Sequence, residues 1–282
     1  MQIIRTVQGL REVTAGWRMA GKTVALVPTM GALHAGHMAL VDAGRRRADH
    51  VVVSIFVNPA QFGPNEDLAA YPRREAADAA MLDAGGVDVL WAPDVATMYP
   101  AGFASSLSVG GVSERHDGAA RPGHFDGVAT VVAKLLNQVR PDVALFGEKD
   151  WQQLAVIRRM AADMDVPVEI VGVPTQREDD GLALSSRNAY LDDEQRAAAR
   201  AMPRALGEAA AAIARGDDVA QAMATAERRL LDGGFGSVDY VTLCDAETLV
   251  PVVAVDGRPL RLLAAARIGT TRLIDNLAVA VE

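Results

Sequence analysis

The sequence predicts an α/β protein with a Rossmann-like, doubly wound parallel sheet and a smaller C-terminal α+β domain. Residues 23–27, TVALV, and several later segments are apolar and rich in β-branched residues, without the alternation of a half-exposed strand. Strand and helix patterns alternate as far as residue 175, whereas two helical segments and then three strands follow. A chain of 282 residues is long enough for both domains, which we assign to residues 1–175 and 176–282.

The first predicted domain repeats a strand, a turn and a helix. Its strands are predicted at residues 23–27, 51–57, 87–91, 143–146 and 168–173. Its helices are predicted at residues 38–48, 73–84 and 128–139, and in a segment after residue 150 whose apolar face contains Leu154, Ile157, Ala161 and Met164. Helix 128–139 has the clearest pattern, because its apolar residues recur at the spacing of a core-facing helix. Residues 101–125 form a long irregular segment, which in a compact domain is usually functional or mobile.

The second predicted domain has a different order of elements. A polar loop at 175–188 leads to a helix at 192–214, interrupted at Pro203, and to a second helix at 218–231. Strands are predicted at residues 238–244, 260–266 and 273–279. Because no helix separates the last two strands, we expect an antiparallel sheet and therefore an α+β domain.

Composition and charge exclude several classes of protein. Half of the residues are hydrophobic and 23% are charged, so intrinsic disorder is not expected. The net charge of −8 argues against a nucleic-acid-binding surface, which needs clustered cations. Cys244 is the only cysteine, so the chain cannot form an intrachain disulfide. The first residues lack the apolar core of a signal peptide and no run reaches the ~18 apolar residues of a membrane helix, so we expect a cytoplasmic protein without membrane contact.

The most informative stretch is PTMGALHAGH, residues 28–37, directly after the first buried strand. Gly31 and Gly36 allow a tight turn, and His34 and His37 are three residues apart. A helix that begins near Gly36 places His37 in its first turn, where unpaired N–H groups and the helix dipole attract phosphate. A zinc site is the alternative, but no cysteine or acidic residue stands at short ligand spacing.

Three turns that follow parallel strands are expected to meet at one edge of the sheet: residues 30–37, 58–62 and 147–150. A fourth segment, residues 185–188, comes from the domain junction. Together they supply imidazole, ammonium, guanidinium, hydroxyl and amide groups with few acids. Such a set suits displacement at a nucleotide's α-phosphorus, where negative charge develops on oxygen.

Each of these residues also has an ordinary interpretation. Lys149, one of only three lysines, could be a surface residue paired with Glu148 or Asp150. The segment 185–187 could be a simple helix N-cap, and Gln61 and Gln153 could be ordinary polar residues. The sequence contains neither a GxxxxGK[ST] P-loop nor a GxGxxG or GxSxG motif, which disfavours the corresponding ATPases, dinucleotide-binding proteins and serine hydrolases.

Seven segments, in order, resemble those of the pantothenate synthetase family, the pantoate–β-alanine ligases. They are PTMGALHAGH (28–37), SIFVNPAQF (54–62), EDLAAYPR (66–73), RPGHFDGV (121–128), FGEKDWQQL (146–154), DGLALSSRN (180–188) and ARIGTTRLIDN (266–276). The HxGH motif alone indicates only the wider nucleotidyltransferase superfamily. The joint set spans nearly the whole chain and is highly specific.

The resemblance implies a Rossmann-like N-terminal domain, a C-terminal lid, a homodimer and Mg²⁺-dependent use of ATP. In such enzymes the carboxylate of pantoate attacks the α-phosphorus of ATP to give pantoyl adenylate and pyrophosphate. The amine of β-alanine then displaces AMP to form the amide. Two rivals remain: a nucleotidyltransferase that stops after adenylyl transfer to a phosphorylated alcohol, and a noncatalytic nucleotide-binding module.

The resemblance also implies roles for individual residues, with His34, His37, Lys149 and Arg187 as the catalytic group. The implied ATP-binding residues are Met30, Gly31, Ala32, Leu33, His34, Ala35, Gly36, His37, Gly147, Glu148, Lys149, Asp150, Gln176, Leu184, Ser185, Ser186 and Arg187. The implied residues for pantoate and β-alanine are Gln61 and Gln153, with Asn58, Tyr71, Arg121 and His124 near the pocket or a dimer contact. Gln176 stands where the family usually has an apolar residue whose backbone meets adenine. The resemblance leaves the Mg²⁺ ligands unidentified.

Overall fold

The computed structural model describes residues 1–64 and 66–280. Six parallel strands form the larger sheet: β1 (Gln2–Ile4), β2 (Val24–Thr29), β3 (His50–Ile55), β4 (Val89–Trp91), β5 (Val143–Gly147) and β6 (Glu169–Val173). Their order across the sheet is β1-β4-β3-β2-β5-β6. The prediction of a parallel α/β sheet is confirmed.

Helices cover both faces of this sheet. They are α1 (Val7–Met19), α2 (Ala35–Arg45), α3 (Glu75–Ala84), α4 (Val95–Met98), α5 (Asp117–Ala120), α6 (His124–Val139) and α7 (Trp151–Asp163). Val24 and Leu26 of β2 pack with residues of α1, α6 and α7, whereas the intervening Ala25 and Val27 pack with residues of α2 and α3. Since successive strand residues face opposite sides, β2 must be apolar throughout, which explains its uninterrupted hydrophobic run.

The strand order creates a topological switch point beside β2. The chain adds β3 and β4 on one side of β2, and later adds β5 and β6 on the other. In open α/β sheets, ligands bind in the crevice outside the carboxyl ends of the strands at such a point. The turns that leave β2 and β5 therefore flank the expected binding crevice.

The C-terminal region contains α8 (Asp193–Ala198), α9 (Ala201–Ala214) and α10 (Val219–Asp232), followed by β7 (Ser237–Asp245), β8 (Leu260–Ile268) and β9 (Thr271–Val279). The three strands are antiparallel in the order β7-β8-β9. They share a hydrophobic core with α9 and α10, and the expected α+β arrangement is confirmed. Among the described residues, no helix is both long and apolar enough to span a bilayer.

Several boundaries differ from the predicted ones. Pro203 lies in the first turn of α9, where a missing N–H costs little, and the helix break precedes it at Ala199 and Arg200. Met164 is 56% exposed just beyond α7 and does not belong to its apolar face. Strand β3 ends at Ile55, two residues earlier than expected. Strand β1 and helix α1 were not predicted, and a three-residue edge strand such as β1 leaves little periodicity.

Candidate active site

The turn after β2 is held in place by a buried carboxylate. Asp78 of α3 accepts hydrogen bonds from the backbone N–H groups of Ala32 and Leu33, each at 2.9 Å. Gly31 has φ +85°, and a Cβ there would lie 3.1 Å from both the Asp78 carboxylate and the Ile55 side chain. The turn therefore requires glycine for its backbone conformation and for space.

His34 and His37 sit at the start of α2, as the HxGH spacing predicted. His34 is the N-cap, and its Nδ1 accepts from the Gly36 N–H at 3.1 Å. The Nδ1 of His37 accepts from the backbone N–H of His34 at 3.3 Å. A Cβ on Gly36 would lie 2.9 Å from the His34 ring, so glycine lets this ring fold over the helix start.

Both imidazoles are neutral and have a defined tautomer. Burial, with the nearby His34 and Lys149, lowers the pKa of His37 to about 3. Burial and Lys149 also lower the pKa of His34. Because each Nδ1 accepts a backbone N–H, the ring proton resides on Nε2. The two rings, 4.1 Å apart between centroids, can therefore each donate one hydrogen bond to an anion.

The turn after β3 places Gln61 beside the histidine loop. Asn58 is 1% exposed, and its Nδ2 donates to Gln61 Oε1 at 3.0 Å and to the Gly127 carbonyl at 3.1 Å. Its Oδ1 accepts from the Tyr99 hydroxyl at 2.7 Å. Gln61 Nε2 contacts only the weakly accepting sulfur of Met30, at 3.3 Å, among the hydrogen bonds that the described residues make. Asn58 thus orients Gln61, whose amide N–H groups remain the available donors.

The turn after β5 carries Lys149 into the crevice. Its side chain is 19% exposed, with Nζ 3.8 Å from Asp150 Oδ1. Glu148 faces away and lies 3.4 Å from the guanidinium of Arg261 in the C-terminal sheet. The simple surface-pair interpretation of Lys149 is therefore incomplete, since this ammonium lines a cavity as well as meeting Asp150.

The segment 185–187 lines one side of the crevice. Ser185 caps the short 3₁₀ helix Ser186–Tyr190 by accepting from the Arg187 N–H at 3.2 Å, as its N-cap interpretation predicted. The Arg187 guanidinium forms a two-pronged ion pair with Asp67, at 3.1 and 2.9 Å. Tyr71 is buried, and its hydroxyl lies 3.3 Å from Ser186 Oγ. Asp67 and Tyr71 thus hold this segment against the N-terminal part of the chain.

Arg121 and His124 form a second network at the rim. Arg121 is paired with the carboxylate of Glu66 through two contacts of 2.6 Å. His124 Nδ1 donates to the Gln61 carbonyl at 2.8 Å, and its Nε2 accepts from Arg121 at 2.9 Å. Burial and the adjacent Arg121 charge lower the pKa of His124 to about 4, so the ring is neutral.

Two cavities meet at Lys149. The smaller one, about 210 Å³, is lined by residues from all four segments, including Met30, His34, His37, Gln61, Lys149, Ser186 and Gln176. The larger one, about 570 Å³, lies between the turns of the parallel sheet and the C-terminal sheet and includes Arg121, His124 and Arg272. Both cavities share Lys149, Asp150, Gln153, Ser185 and Arg187. The predicted convergence of these turns is thus observed.

Some predicted site residues lie outside both cavity walls. Glu148 pairs with Arg261 instead, and Ala32 and Leu33 use their N–H groups for Asp78. The predicted residues that line neither cavity are Gly31, Ala32, Leu33, Ala35 and Glu148. These residues shape the turns that carry the lining side chains.

Residue 175 is a lining position that sequence reasoning missed. The hydroxyl of Thr175 is buried and finds no hydrogen-bond partner within residues 1–64 and 66–280, and Thr175 lines the smaller cavity. The adjacent Gln176 is exposed, its side chain donating to the Pro174 carbonyl at 3.1 Å and its own carbonyl accepting from Leu184 at 2.9 Å. Asp67 and Asp78 were missed too, because one acid among many carries no sequence signal.

A parallel α/β sheet with donors gathered at its switch point defines the class of nucleotide-binding α/β proteins. A model of the Pantoate-beta-alanine ligase family matches residues 2–278. The chain belongs to this family, so the resemblance read from the seven segments is confirmed.

Similar proteins cover the whole chain. Pantothenate synthetase of Rhizorhabdus wittichii is 71% identical over 279 residues, covering 99% of both chains. The protein of the same name from Sphingopyxis alaskensis is 64% identical, covering 99% of this chain and all of its own. A crystal structure of pantothenate synthetase from Thermus thermophilus has a TM-score of 0.92 at 48% identity, covering 99% of both chains. Pantoate–β-alanine ligase from Francisella tularensis, complexed with beta-gamma ATP and β-alanine, has a TM-score of 0.83 at 32% identity, covering 99% of this chain and 97% of its own.

Proposed function

We propose that this chain condenses (R)-pantoate with β-alanine at the expense of ATP, giving pantothenate, AMP and pyrophosphate. A pantoate carboxylate oxygen attacks the α-phosphorus, and the bond to pyrophosphate breaks. The β-alanine nitrogen then attacks the acyl carbon of pantoyl adenylate, loses a proton and displaces AMP. The observation that carries the proposal is the meeting of two neutral imidazoles, Lys149 and Arg187 around one crevice, in a chain 71% identical to a pantothenate synthetase.

The cationic and N–H donors have distinct tasks in this proposal. The Nε2–H groups of His34 and His37 donate to the α-phosphoryl oxygens, whose negative charge grows in the transition state. Neutral rings suit this role, because they need no change of protonation during the reaction. Lys149 supplies a mobile positive charge that can follow the phosphates.

Nucleotide binding requires an exchange of partners at Arg187. In the structure its guanidinium is paired with Asp67, and Ser186 meets Tyr71. Two oxygens of a phosphate can accept the same two-pronged bond from a guanidinium as a carboxylate, so a phosphate can replace Asp67. Ser185, Ser186 and Arg187 would then close over the triphosphate, with Gly147 and Asp150 near the ribose and phosphates.

Two glutamines form the proposed acid site. Gln61 has free amide N–H groups directed by Asn58, and Gln153 lines both cavities at the start of α7. Amide donors can hold the pantoate carboxylate and hydroxyls without the strong charge pairing that would weaken the nucleophile. Arg121 and His124 stand at the rim of the neighbouring cavity, where β-alanine would approach.

Magnesium is part of the proposal as the companion of ATP. Among the described residues, no cluster of three or more His, Cys, Asp or Glu side chains could hold a metal ion. Mg²⁺ is commonly bound by one or two carboxylates together with substrate phosphates and water. Asp150 lies in the wall of both cavities and is the carboxylate we assign to this contact; the ion would neutralise phosphate charge.

We also propose that the enzyme acts in the cytoplasm as a homodimer and that residues 176–282 form a lid on the catalytic domain of residues 1–175. The reaction is tested by exchange of labelled pyrophosphate into ATP. Exchange that depends on pantoate, followed by AMP release only with β-alanine, is the expected result. Exchange without pantoate, or adenylyl transfer that ends there, would contradict the proposal. A noncatalytic nucleotide-binding module would give no multiple-turnover amide formation.

A further inference from the structure

A buried amide of the C-terminal sheet reaches the turn that carries Lys149. Asn276 lies on β9 and is 2% exposed. Its Nδ2 donates to two consecutive backbone carbonyls of the turn after β5, that of Glu148 at 2.9 Å and that of Lys149 at 2.8 Å. Both amide hydrogens of this side chain in the C-terminal sheet therefore bond to the backbone of the turn after β5.

The orientation of this amide is fixed by its other neighbours. Asn276 Oδ1 accepts from Arg261 Nε at 2.6 Å. The Arg261 guanidinium lies over the Trp151 ring, 3.8 Å from its centroid, with Nη2 3.4 Å from the Glu148 carboxylate. A flipped amide would set its hydrogens against the Arg261 donor and its oxygen against two carbonyls. All its polar atoms are therefore committed in a single arrangement.

A fixed backbone carbonyl at Lys149 limits the position of the Cα atom from which the lysine side chain extends. The lysine stem has four rotatable bonds, so its ammonium reaches a defined place only if the backbone is held. Nζ has only a loose contact, 3.8 Å, with Asp150. The backbone bonds from Asn276 therefore restrain the turn of the lysine that both cavities share.

We propose that Asn276 is a positioning residue for Lys149, setting the place of the ammonium along the nucleotide's phosphates. This inference rests on the proposed function. It assigns a part in the chemistry to the C-terminal sheet, beyond the closing segment 185–187. The alternative is that Asn276 only joins the two domains, in which case its loss weakens the fold and acts independently of Lys149.

A double-mutant cycle separates these roles. Asn276→Asp keeps the volume and the acceptor for Arg261 but cannot donate to either carbonyl. We expect it to lower kcat for pantoate-dependent pyrophosphate exchange about 10- to 100-fold, the usual cost of a displacement near 1 Å, with KM for pantoate changed less than about threefold. In a Lys149→Ala background the same substitution should lower kcat less than about twofold, because the lysine side chain that Asn276 is proposed to position is absent.

Two further variants serve as controls for the positioning role. Trp151→Phe removes a different interdomain bond, from Nε1 to the Ala246 carbonyl at 2.9 Å, but keeps the ring under Arg261, and should cost less than about threefold. Asn276→Ala removes both donors without adding a charge, should lose as much rate as Asn276→Asp, and serves if the aspartate variant does not fold. Equal fold-losses in both backgrounds would overturn the positioning role. Failure of the wild-type enzyme to exchange pyrophosphate would instead refute the proposed function.

Discussion

Replacement of His37 should lower the reaction rate far more than it lowers the stability of the fold. His37→Ala removes two things, the Nε2–H proposed to meet the α-phosphate and the Nδ1 that accepts from the His34 N–H at 3.3 Å. One lost donor to a developing oxyanion costs about 10²- to 10³-fold in rate, or about 2.7–4 kcal/mol. The lost cap bond costs about 0.5–1.5 kcal/mol of stability, partly offset by the better helix propensity of alanine.

A matched variant isolates the catalytic part. In a capping box, glutamate at the third helical position reaches back to the N–H of the N-cap, so His37→Glu keeps the bond that His37 makes and, as a carboxylate, has no N–H to donate. We expect its unfolding free energy to lie within about 0.5 kcal/mol of wild type, while its exchange rate falls at least as far as that of His37→Ala.

The assay pairs pantoate-dependent pyrophosphate exchange with urea unfolding of the same preparations. A His37→Glu enzyme with wild-type exchange would refute the donor role. So would a His37→Ala enzyme whose lost activity follows the fraction unfolded. Lost exchange in both variants, with only the alanine variant less stable, is the predicted outcome.

Three further predictions use the same assays. Gln153→Ala should raise KM for pantoate more than KM for ATP in steady-state kinetics, because its amide is assigned to the acid; the reverse pattern removes it from that site. Asp67→Asn should weaken the pairing of Arg187 in the free enzyme and lower KM for ATP severalfold, whereas a higher KM would mean that Asp67 helps to bind the nucleotide. For His37 and His124, the folded pKa values of about 3 and about 4 lie below the ordinary 6.5. Their stability contribution is therefore full above pH 6.5 and is lost as the pH falls through the folded values, about 4 for His124 and about 3 for His37, at up to about 1.4 kcal/mol per pH unit and group. In urea titrations His124→Asn should flatten this dependence, and an unchanged slope would contradict the assigned pKa.

Local sequence signals were enough for strands β2 to β6 of the parallel sheet and for most of the turns. Residues 23–27 lie within β2 apart from the first, and the pattern at 128–139 matches α6, which begins only four residues earlier. Each prediction used periodicity or the backbone preferences of glycine and proline, which depend on neighbours in sequence. The break before α9 was misplaced because Pro203 reads as an interruption, whereas the first turn of a helix tolerates proline.

Pairs of neighbouring amide residues show that local signals do not determine which side chain faces a cavity. Gln152 is 4% exposed, and its amide bonds the Asp117 N–H and two loop carbonyls, whereas Gln153 lines both cavities. Asn58 and Gln61 differ in the same way, since the polar atoms of Asn58 are used in hydrogen bonds within the protein. No local pattern distinguishes the members of either pair, and only the family resemblance singled out Gln61 and Gln153.

By itself, the sequence determined the parallel sheet, the strand–turn–helix around HxGH, the family and the set of turns that meet at one edge. Only the tertiary structure decided which side chains remain free for a ligand and which restrain the turns, such as Asp78 beneath residues 31–33 and Asn276 behind Lys149. The physical reason is that hydrogen-bond saturation depends on partners far away in the chain. Asn276 lies 127 residues from Lys149, and no local pattern records that contact.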